Sequence, residues 1–331
     1  MDRFEAMRTL VAAVDGGSLS AASRSLNVPL PTVSRRVSDL ESFLGSQLVV
    51  RTSRKLLLTE AGTAYVASAR RVLDELSEAE RAASGEYRAP RGELIVTAPI
   101  AFGALHVAPI VHDFLGAYPD VKLRLVLSDS TIDLIETHVD VAVRIGRLPD
   151  SSLVARRLGE IRWVVCASPD YLERRGEPAT PVALADHDCI AFEGLQRYRE
   201  WPFVDGNAVQ QVTIHPRFSI NTADGVVGGA VAGVGIARVL SYQAVASVRA
   251  GSLLPILVDW APPAMPVHLV HAPHQQQPLK LRAFLDFVGP RLQQRLQAIA
   301  HDVAASGQVS STAHRSSEDA AFAATTDTHS T

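Results

Sequence analysis

The sequence predicts a small all-α head carrying one β-hairpin, a long connecting helix, and a larger α/β body in two lobes. Three observations carry this. Residues 1–58 show helical spacing followed by one hairpin pattern, and residues 59–90 hold a sustained heptad-like repeat. From residue 91 onward, strands and helices alternate. At 331 residues, 47% hydrophobic and 20% charged, the chain is ordinary for a globular protein and long enough for more than one core.

In the head, Phe4, Met7, Val11 and Val14 mark a first amphipathic helix ended by Gly16-Gly17. A second helix spans about Ser20 to Leu26, with Ser18 or Ser20 as cap and Ala21, Ala22 and Leu26 inward. Asn27 suits a left-handed turn. Pro29 and Pro31 then preset the backbone where a third helix begins. In LPTVSRRVSDLESFL, residues 30–44, the apolar Val33, Val37, Leu40 and Leu44 recur at helical spacing. The opposite face carries Thr32, Ser34, Arg35, Arg36, Ser38 and Asp39, mostly groups that donate hydrogen bonds to phosphates or base edges. Such an arrangement is a helix-turn-helix. Leu48–Val50 and Leu56–Leu58 read as two strands around Arg51-Thr-Ser-Arg-Lys55, a wing whose cations can reach the DNA backbone or minor groove. A solvated hairpin tip is the plainer reading of those cations taken alone.

Charge supports one specialised binding module. The whole chain has a net charge of -3. Residues 1–58 hold eight arginines and lysines against five carboxylates, a local +3 concentrated after residue 34.

Thr59 starts the long helix of 59–90. Tyr65, Ala69, Val72, Leu76, Ala79 and Ala83 follow at spacings of 4, 3, 4, 3 and 4, a seam for pairing with a second copy or for packing on the same chain. Beyond it, GELIVTA, VKLRLVLSD and VDVAVRIG are strands separated by helices near Leu105–Tyr118 and Thr131–Glu136. RWVVCA, DCIAF and VTIHPRFSIN continue in β style. A helix around Thr222–Ala232, the strands GVGIARVL and PVHLVHA, and a helix over Lys280–Leu296 complete the body. From 298 to 331 the chain reads as a disordered tail of Ala, Ser, Thr and scattered charge.

Several chemistries find little support. Cys166 and Cys189 sit in apolar runs without zinc or redox spacing. His268 and His271 differ by an odd number on a strand and so face opposite ways, and with His274 they make a poor metal set. Gly233-Val-Gly235 is followed by Arg238 instead of a third fingerprint glycine. No nucleophile elbow or phosphate loop is found, so neither catalytic residues, metal nor cofactor are predicted. Acidic residues at positions 2, 5 and 15 fit no signal peptide, and the apolar run at 226–234 is glycine-broken and short. A cytoplasmic location without a membrane partner is the expectation.

The run AASRSLNVPLPTVSRRVSDLESFLGSQLVVRTSRKLLLTEAG resembles the N-terminal signature of LysR-type transcriptional regulators. GELIVTAP, LVLSD, VDVAVRIG, LVARRLG, CASPDYL and AGVGIA resemble the effector half of that family. The resemblance covers nearly all of the chain to about Leu296. It implies a winged helix-turn-helix over 1–58, a linker or dimerisation helix over 59–90, and a periplasmic-binding-protein-like effector domain over 91–297. Lobe I would comprise about 91–162 and 267–297, and lobe II about 163–266. The implied partners are double-stranded DNA, a small-molecule effector, RNA polymerase and further copies of the chain in a dimer or homotetramer.

Carried over residue by residue, base reading falls on Leu30, Pro31, Ser34 and Arg35. Groove entry by the wing falls on Arg54, and backbone contact on Thr32, Arg36 and Arg51, with Lys55 beside them. Many members have serine where Pro29 stands and glutamine where Leu30 stands, so a hydroxyl cap and an adenine-reading group are replaced here by rigid, apolar ones. The effector residues implied are Thr97, Pro99, Ile100, Ala101, Phe102, Ser128, Asp129, Arg144, Gly146, Asn221, Thr222 and Val234. Helix N-termini suit a carboxylate, whereas the apolar rim at 99–102 suits an aromatic body. Arg144 could dock a carboxylate or pair internally, for instance with Asp129. Tyr65, Ala69, Val72, Leu76 and Ala79 are the implied dimerisation residues. The expected function is a sequence-specific transcription regulator modulated by a small molecule. The alternatives are a DNA-binding protein without a working effector site, or an α/β enzyme or carrier with a basic interaction module.

Overall fold

The computed structural model describes residues 1–51, 56–83, 89–130, 139–194, 199–273 and 277–326. Arg54, Lys55, His274 and the helix expected near 131–136 fall outside the described residues. In the head, α1 (Arg3–Asp15) is capped by Asp2, whose carboxylate accepts the Phe4 and Glu5 amides at 2.9 and 3.2 Å. Ser18 caps α2 (Leu19–Leu26) through the Ala21 amide. Asn27 takes the left-handed conformation at φ 52°, which turns the chain into α3 (Leu30–Leu44). The small Ala6, Ala13 and Ala22 are wholly buried, so the three helices approach closely. Of the expected inward line of α1, Phe4 is corrected, being 45% exposed; Val11 and Val14 pack partly buried on the core, and Ala6, Leu10 and Ala13 lie deepest. Leu44 is likewise outside, because Gly45 at φ 63° turns the chain away just beyond the buried Leu40.

Strands β1 (Val49–Arg51) and β2 (Leu56–Leu58) pair antiparallel as the wing. The Glu41 carboxylate accepts the Leu48 and Val49 amides at 2.8 and 3.0 Å, joining α3 to the root of the wing. Thr59 caps α4 (Glu60–Ala83) through the Gly62 amide at 2.9 Å, while its hydroxyl donates to the Gln47 carbonyl at 2.7 Å. Val66 and Ala69 enter the head's core, and Tyr65 packs beside it. The early part of the heptad seam is therefore spent inside the chain, while Val72 and Ala79 are exposed and Leu76 half-buried.

The body holds two five-stranded sheets. In the first, β3 (Gly92–Ala98) runs parallel to β4 (Val121–Leu127) and β5 (Val141–Ile145). The later β14 (Met265–His271) enters antiparallel between β5 and β6 (Val154–Ile161). Helix α5 (Ile100–Phe102), a π-helical turn (Gly103–Val107) and α6 (Ala108–Ala117) follow β3 without a break, so this helical run begins earlier than the expected Leu105. By composition, Ile100–Ala117 is apolar enough to cross a bilayer; here Phe102, Val107, Ile110, Val111 and Phe114 are buried in the core of the first lobe.

In the second sheet, β8 (Cys189–Phe192), β11 (Pro216–Ile220) and β12 (Ile236–Leu240) run parallel. Against them runs β7 (Trp163–Ala167), and β13 (Leu254–Ile256) pairs antiparallel with β7 at the edge. Helices α8 (Ala223–Val231) and α9 (Ser241–Arg249) cover one face; α7 (Pro169–Arg175) and a hairpin of β9 (Glu200–Asp205) and β10 (Ala208–Thr213) cover the other.

The last helix corrects the expected disordered tail. α10 runs from Leu279 to Thr326. Leu281, Leu285, Val288, Leu292 and Leu296 face the first lobe, and the same spacing continues through Ile299 and Val303, all buried. The periodicity outlasts Leu296, and the alanine-rich sequence beyond it has high intrinsic helix propensity.

Gly62 leaves no room for a side chain, because a β-carbon there would stand 1.9 Å from the Leu48 carbonyl oxygen. Gly62→Ala is expected to destabilise the head by about 1–3 kcal/mol, since backbone must move to relieve the clash. Chemical denaturation of native and variant protein checks this; equal midpoints would contradict it.

Candidate nucleic-acid interface and effector cleft

The exposed face of α3 is built on the buried Val33, Val37 and Leu40. Leu30 is 42% exposed at its leading end, followed by exposed Pro31 and Thr32. Pro29 provides no side-chain cap. Arg35 extends into solvent with 83% of its side chain exposed, 3.7 Å from Asp39 one turn on. Ser34 is half-buried. Arg36 differs from the expectation of a phosphate contact: its guanidinium lies 3.0 Å from Glu5 and donates to the Thr9 hydroxyl at 3.4 Å, clamping α3 to α1. Arg51 stands on β1 opposite Leu56, at the edge of the wing tip.

In the body, the chemistry-bearing loops follow the carboxyl ends of parallel strands, where open α/β sheets bind ligands. After β3, Pro99 precedes α5, and Asp129 from the β4 loop accepts the Ile100 amide at 3.0 Å. Ser128 and Ser130 share a hydrogen bond at 2.6 Å. Arg144 is half-buried near the end of β5, paired across the ladder with His268, and burial lowers its pKa. Gly146, at φ 106°, donates its amide to Pro266 at 2.8 Å. After β11, Asn221 is exposed, and the Thr222 hydroxyl accepts the Gly225 amide at the start of α8.

Three expected residues are placed otherwise. Thr97 is fully buried and its hydroxyl donates to the Val126 carbonyl at 2.9 Å, so it ties β3 to β4. Phe102 is fully buried in the first lobe's core. Val234 precedes β12, at the amino end of that strand. Its neighbour Gly235 lies against the Asp188 backbone, and the Ile236 amide donates to Asp188 at 2.8 Å. Val234 is therefore at the far end of the sheet from the cleft.

The cleft's floor holds residues that sequence reasoning missed. Leu240 and Tyr242, just past the carboxyl end of β12, pack on the first lobe's core. Tyr242 stands edge-on to Phe102, with ring centres 5.2 Å apart, and His106 from the π turn lies 5.6 Å from it. Both nitrogens of His106 are shut off from solvent without a well-formed hydrogen bond. Burial, reinforced by Arg295, lowers its pKa to about 4; the nearby Tyr242 backbone offsets only part of this. The chain crosses between lobes beside this cluster, where the Ser241 amide donates to Arg162 at 2.8 Å. The available signals were a strand end at Leu240 and a π turn, which often marks a functional site.

A winged helix-turn-helix with a cationic helix face, joined to two α/β lobes whose strand carboxyl ends meet at their junction, defines a DNA-binding regulator that senses small molecules. Residues 4–63 match the bacterial regulatory helix-turn-helix protein, lysR family, and residues 88–293 match the LysR substrate binding domain. An HTH-type transcriptional regulator of Xanthomonas campestris pv. campestris (strain 8004) is 37% identical over 85% of this chain and 83% of that protein. An HTH-type transcriptional repressor of Pseudomonas aeruginosa (strain UCBPP-PA14) is 35% identical over 87% of this chain and 92% of its own. The solved structure of CrgA, a LysR-type transcriptional regulator from Neisseria meningitidis, has a TM-score of 0.56 and 34% identity, covering 87% of this chain and 98% of that one. The chain belongs to the LysR family of transcriptional regulators. It is a sequence-specific DNA-binding regulator modulated by a small-molecule effector, not an enzyme.

His106 generates a pH dependence. It is neutral in the folded state down to about pH 4, whereas in the unfolded chain it takes up a proton near 6.5. Its contribution therefore holds full stability above pH 6.5 and removes it progressively as the pH falls to about 4. Melting temperature against pH should fall less steeply across that window for His106→Leu than for the native protein; identical slopes would contradict this.

Proposed function

We propose that the amino-terminal half of α3 enters the major groove, with Leu30, Pro31, Thr32, Ser34 and Arg35 toward the bases and flanking phosphates. The exposed Arg35 on a helix braced from both sides carries this reading. Arg36 and Glu41 hold the helix against α1 and the wing, leaving Arg35 to donate its fork to a guanine edge. The wing's Arg51, Arg54 and Lys55 would lie along the backbone. The outer seam of α4, Val72, Leu76 and Ala79, would pair with a second copy, and two such pairs would make a tetramer in the cytoplasm. Arg36, Tyr65 and Ala69 then support the interface from within.

The effector, a carboxylate or aromatic compound, would sit between the lobes against Pro99, Ile100, Ala101, Ser128, Asp129, Arg144, Gly146, Asn221 and Thr222. Its binding would shift lobe closure and tetramer geometry, and through DNA bending the engagement of RNA polymerase. Support comes from the placement of these residues at strand carboxyl ends, around a junction filled by Tyr242 and Leu240.

Mobility shift on the DNA upstream of the chain's own gene tests the interface. Arg35→Ala should relax preference at one base step by about 1–3 kcal/mol, without changing the melting temperature. No specific band with any upstream probe would count against the reading. A Val72→Asp, Leu76→Asp double variant should sediment as a smaller species and bind DNA roughly tenfold or more weakly, through loss of the second half-site. An unchanged sedimentation profile would remove α4 as the pairing surface.

A further inference from the structure

Among the described residues of the body, Arg238 is a mostly buried charge that the fold alone does not explain. β12 reads Ile-Ala-Arg-Val-Leu, and every other residue of it serves a core. Ile236, Arg238 and Leu240 share one face of the sheet. Ile236 packs in the second lobe and Leu240 against the first, so Arg238 lies between them at the border of the lobes. Only 8% of the residue is exposed. Its guanidinium carbon stands 4.0 Å above the ring of Trp163, which opens β7 just after the chain has crossed from the first lobe and pairs with Leu240. The guanidinium therefore leans toward the cleft end of the strand. Among the described residues it has neither a carboxylate partner nor a hydrogen-bond acceptor, and its nitrogens keep a little contact with solvent. Burial lowers its pKa to about 10, so it stays charged at neutral pH.

A mostly buried cation without a counter-charge is costly, and an indole on one side with a little solvent contact offsets only part of that cost. The arrangement does suit a ligand: Trp163 packs against one side of the guanidinium, whose donors are not taken up by any acceptor among the described residues and can serve a bidentate one. We propose that Arg238, packed on Trp163, receives the carboxylate of the effector from the second lobe, on the side away from α8 and α9. Arg144 then stands on the opposite lobe, and closing the cleft brings the ligand's apolar body against the rim at Pro99 and Ile100. This rests on the inter-lobe effector reading above, narrows its ligand to a carboxylate and adds the anchoring residue.

The test uses the full chain without DNA, with tryptophan fluorescence and melting temperature as readouts. Benzoate and a set of aliphatic and aromatic monocarboxylates are titrated beside benzamide, a neutral twin, and inorganic phosphate. The expected result is a saturable fluorescence change and a raised melting temperature with at least one carboxylate, and none with benzamide. Arg238→Met should weaken that response at least tenfold and raise the melting temperature of the unliganded protein, because an uncompensated charge is gone. Arg238→Lys should retain a weaker response. Trp163→Phe should keep the thermal response and lose most of the fluorescence change.

An Arg238→Met protein that responds like the native one, or melts lower without ligand, overturns the proposal. So does a response to phosphate alone, or none to any carboxylate. Retained carboxylate binding with no DNA shift would count against the regulatory interface only; DNA binding with no ligand response would count against Arg238.

Discussion

The body's useful chemistry is confined by one geometric constraint: parallel strands put their carboxyl ends, and the loops that follow, on a single edge. In both lobes that edge is the one where they meet. β3, β4 and β5 end there in the first lobe, as do β8, β11 and β12 in the second. Leu240, Tyr242 and Val245 pack on the first lobe's core from the second, so the junction is a packed contact as well as an opening. A ligand between the lobes works against that contact. Its leverage is the difference in packing between a closed and a relaxed junction, since ligands shift only equilibria they bind unequally.

The head obeys a different constraint. A recognition helix must be held still while its outer face remains free, and three small devices achieve this. Glu41 gives both carboxylate contacts to the wing root, Arg36 reaches back to Glu5 and Thr9, and Gly62 admits the Leu48 backbone at a distance no side chain allows. The cation turned inward is what leaves its neighbour Arg35 without a structural duty beyond a loose pairing with Asp39. Position along one helix thus divides two adjacent arginines between support and readout.

Legibility in the sequence followed how local each cause was. Asn27, the Ser18 cap, the Thr59 cap and the helix 30–44 are decided within a few residues, and each could be read directly. The strands of the body followed from alternation of apolar runs. The hairpin of β9 and β10 was not read, although Asp205-Gly206 is a turn signal, with Gly206 at φ 58°. Val234 was misplaced because a motif records neighbours in sequence, not which end of a strand they occupy. Phe102 and Thr97 sit in the right loop, but burial depends on packing partners distant in the chain. The same reason hid His106, Tyr242 and Arg238: each looks ordinary until residues far away in the chain close around it.

The C-terminal helix bears most directly on how the parts communicate. Lys280, at its start, lies 3.2 Å from Asp74 of α4 and is itself almost wholly buried. From Leu281 to Ile299 it packs on the first lobe, and Val303 then joins the second lobe's core beside an Arg249–Asp302 ion pair. One helix is therefore fixed to the connecting helix at one end and to both lobes along its length. Any change in the angle between lobes strains either the Val303 contact or the packing of Leu292 and Leu296. Because interiors are close-packed, such strain is relieved by moving whole elements, not by local give. The element at the other end is α4, which carries the head. Beside the segment between α4 and β3, the packing of α10 gives the two halves a second connection.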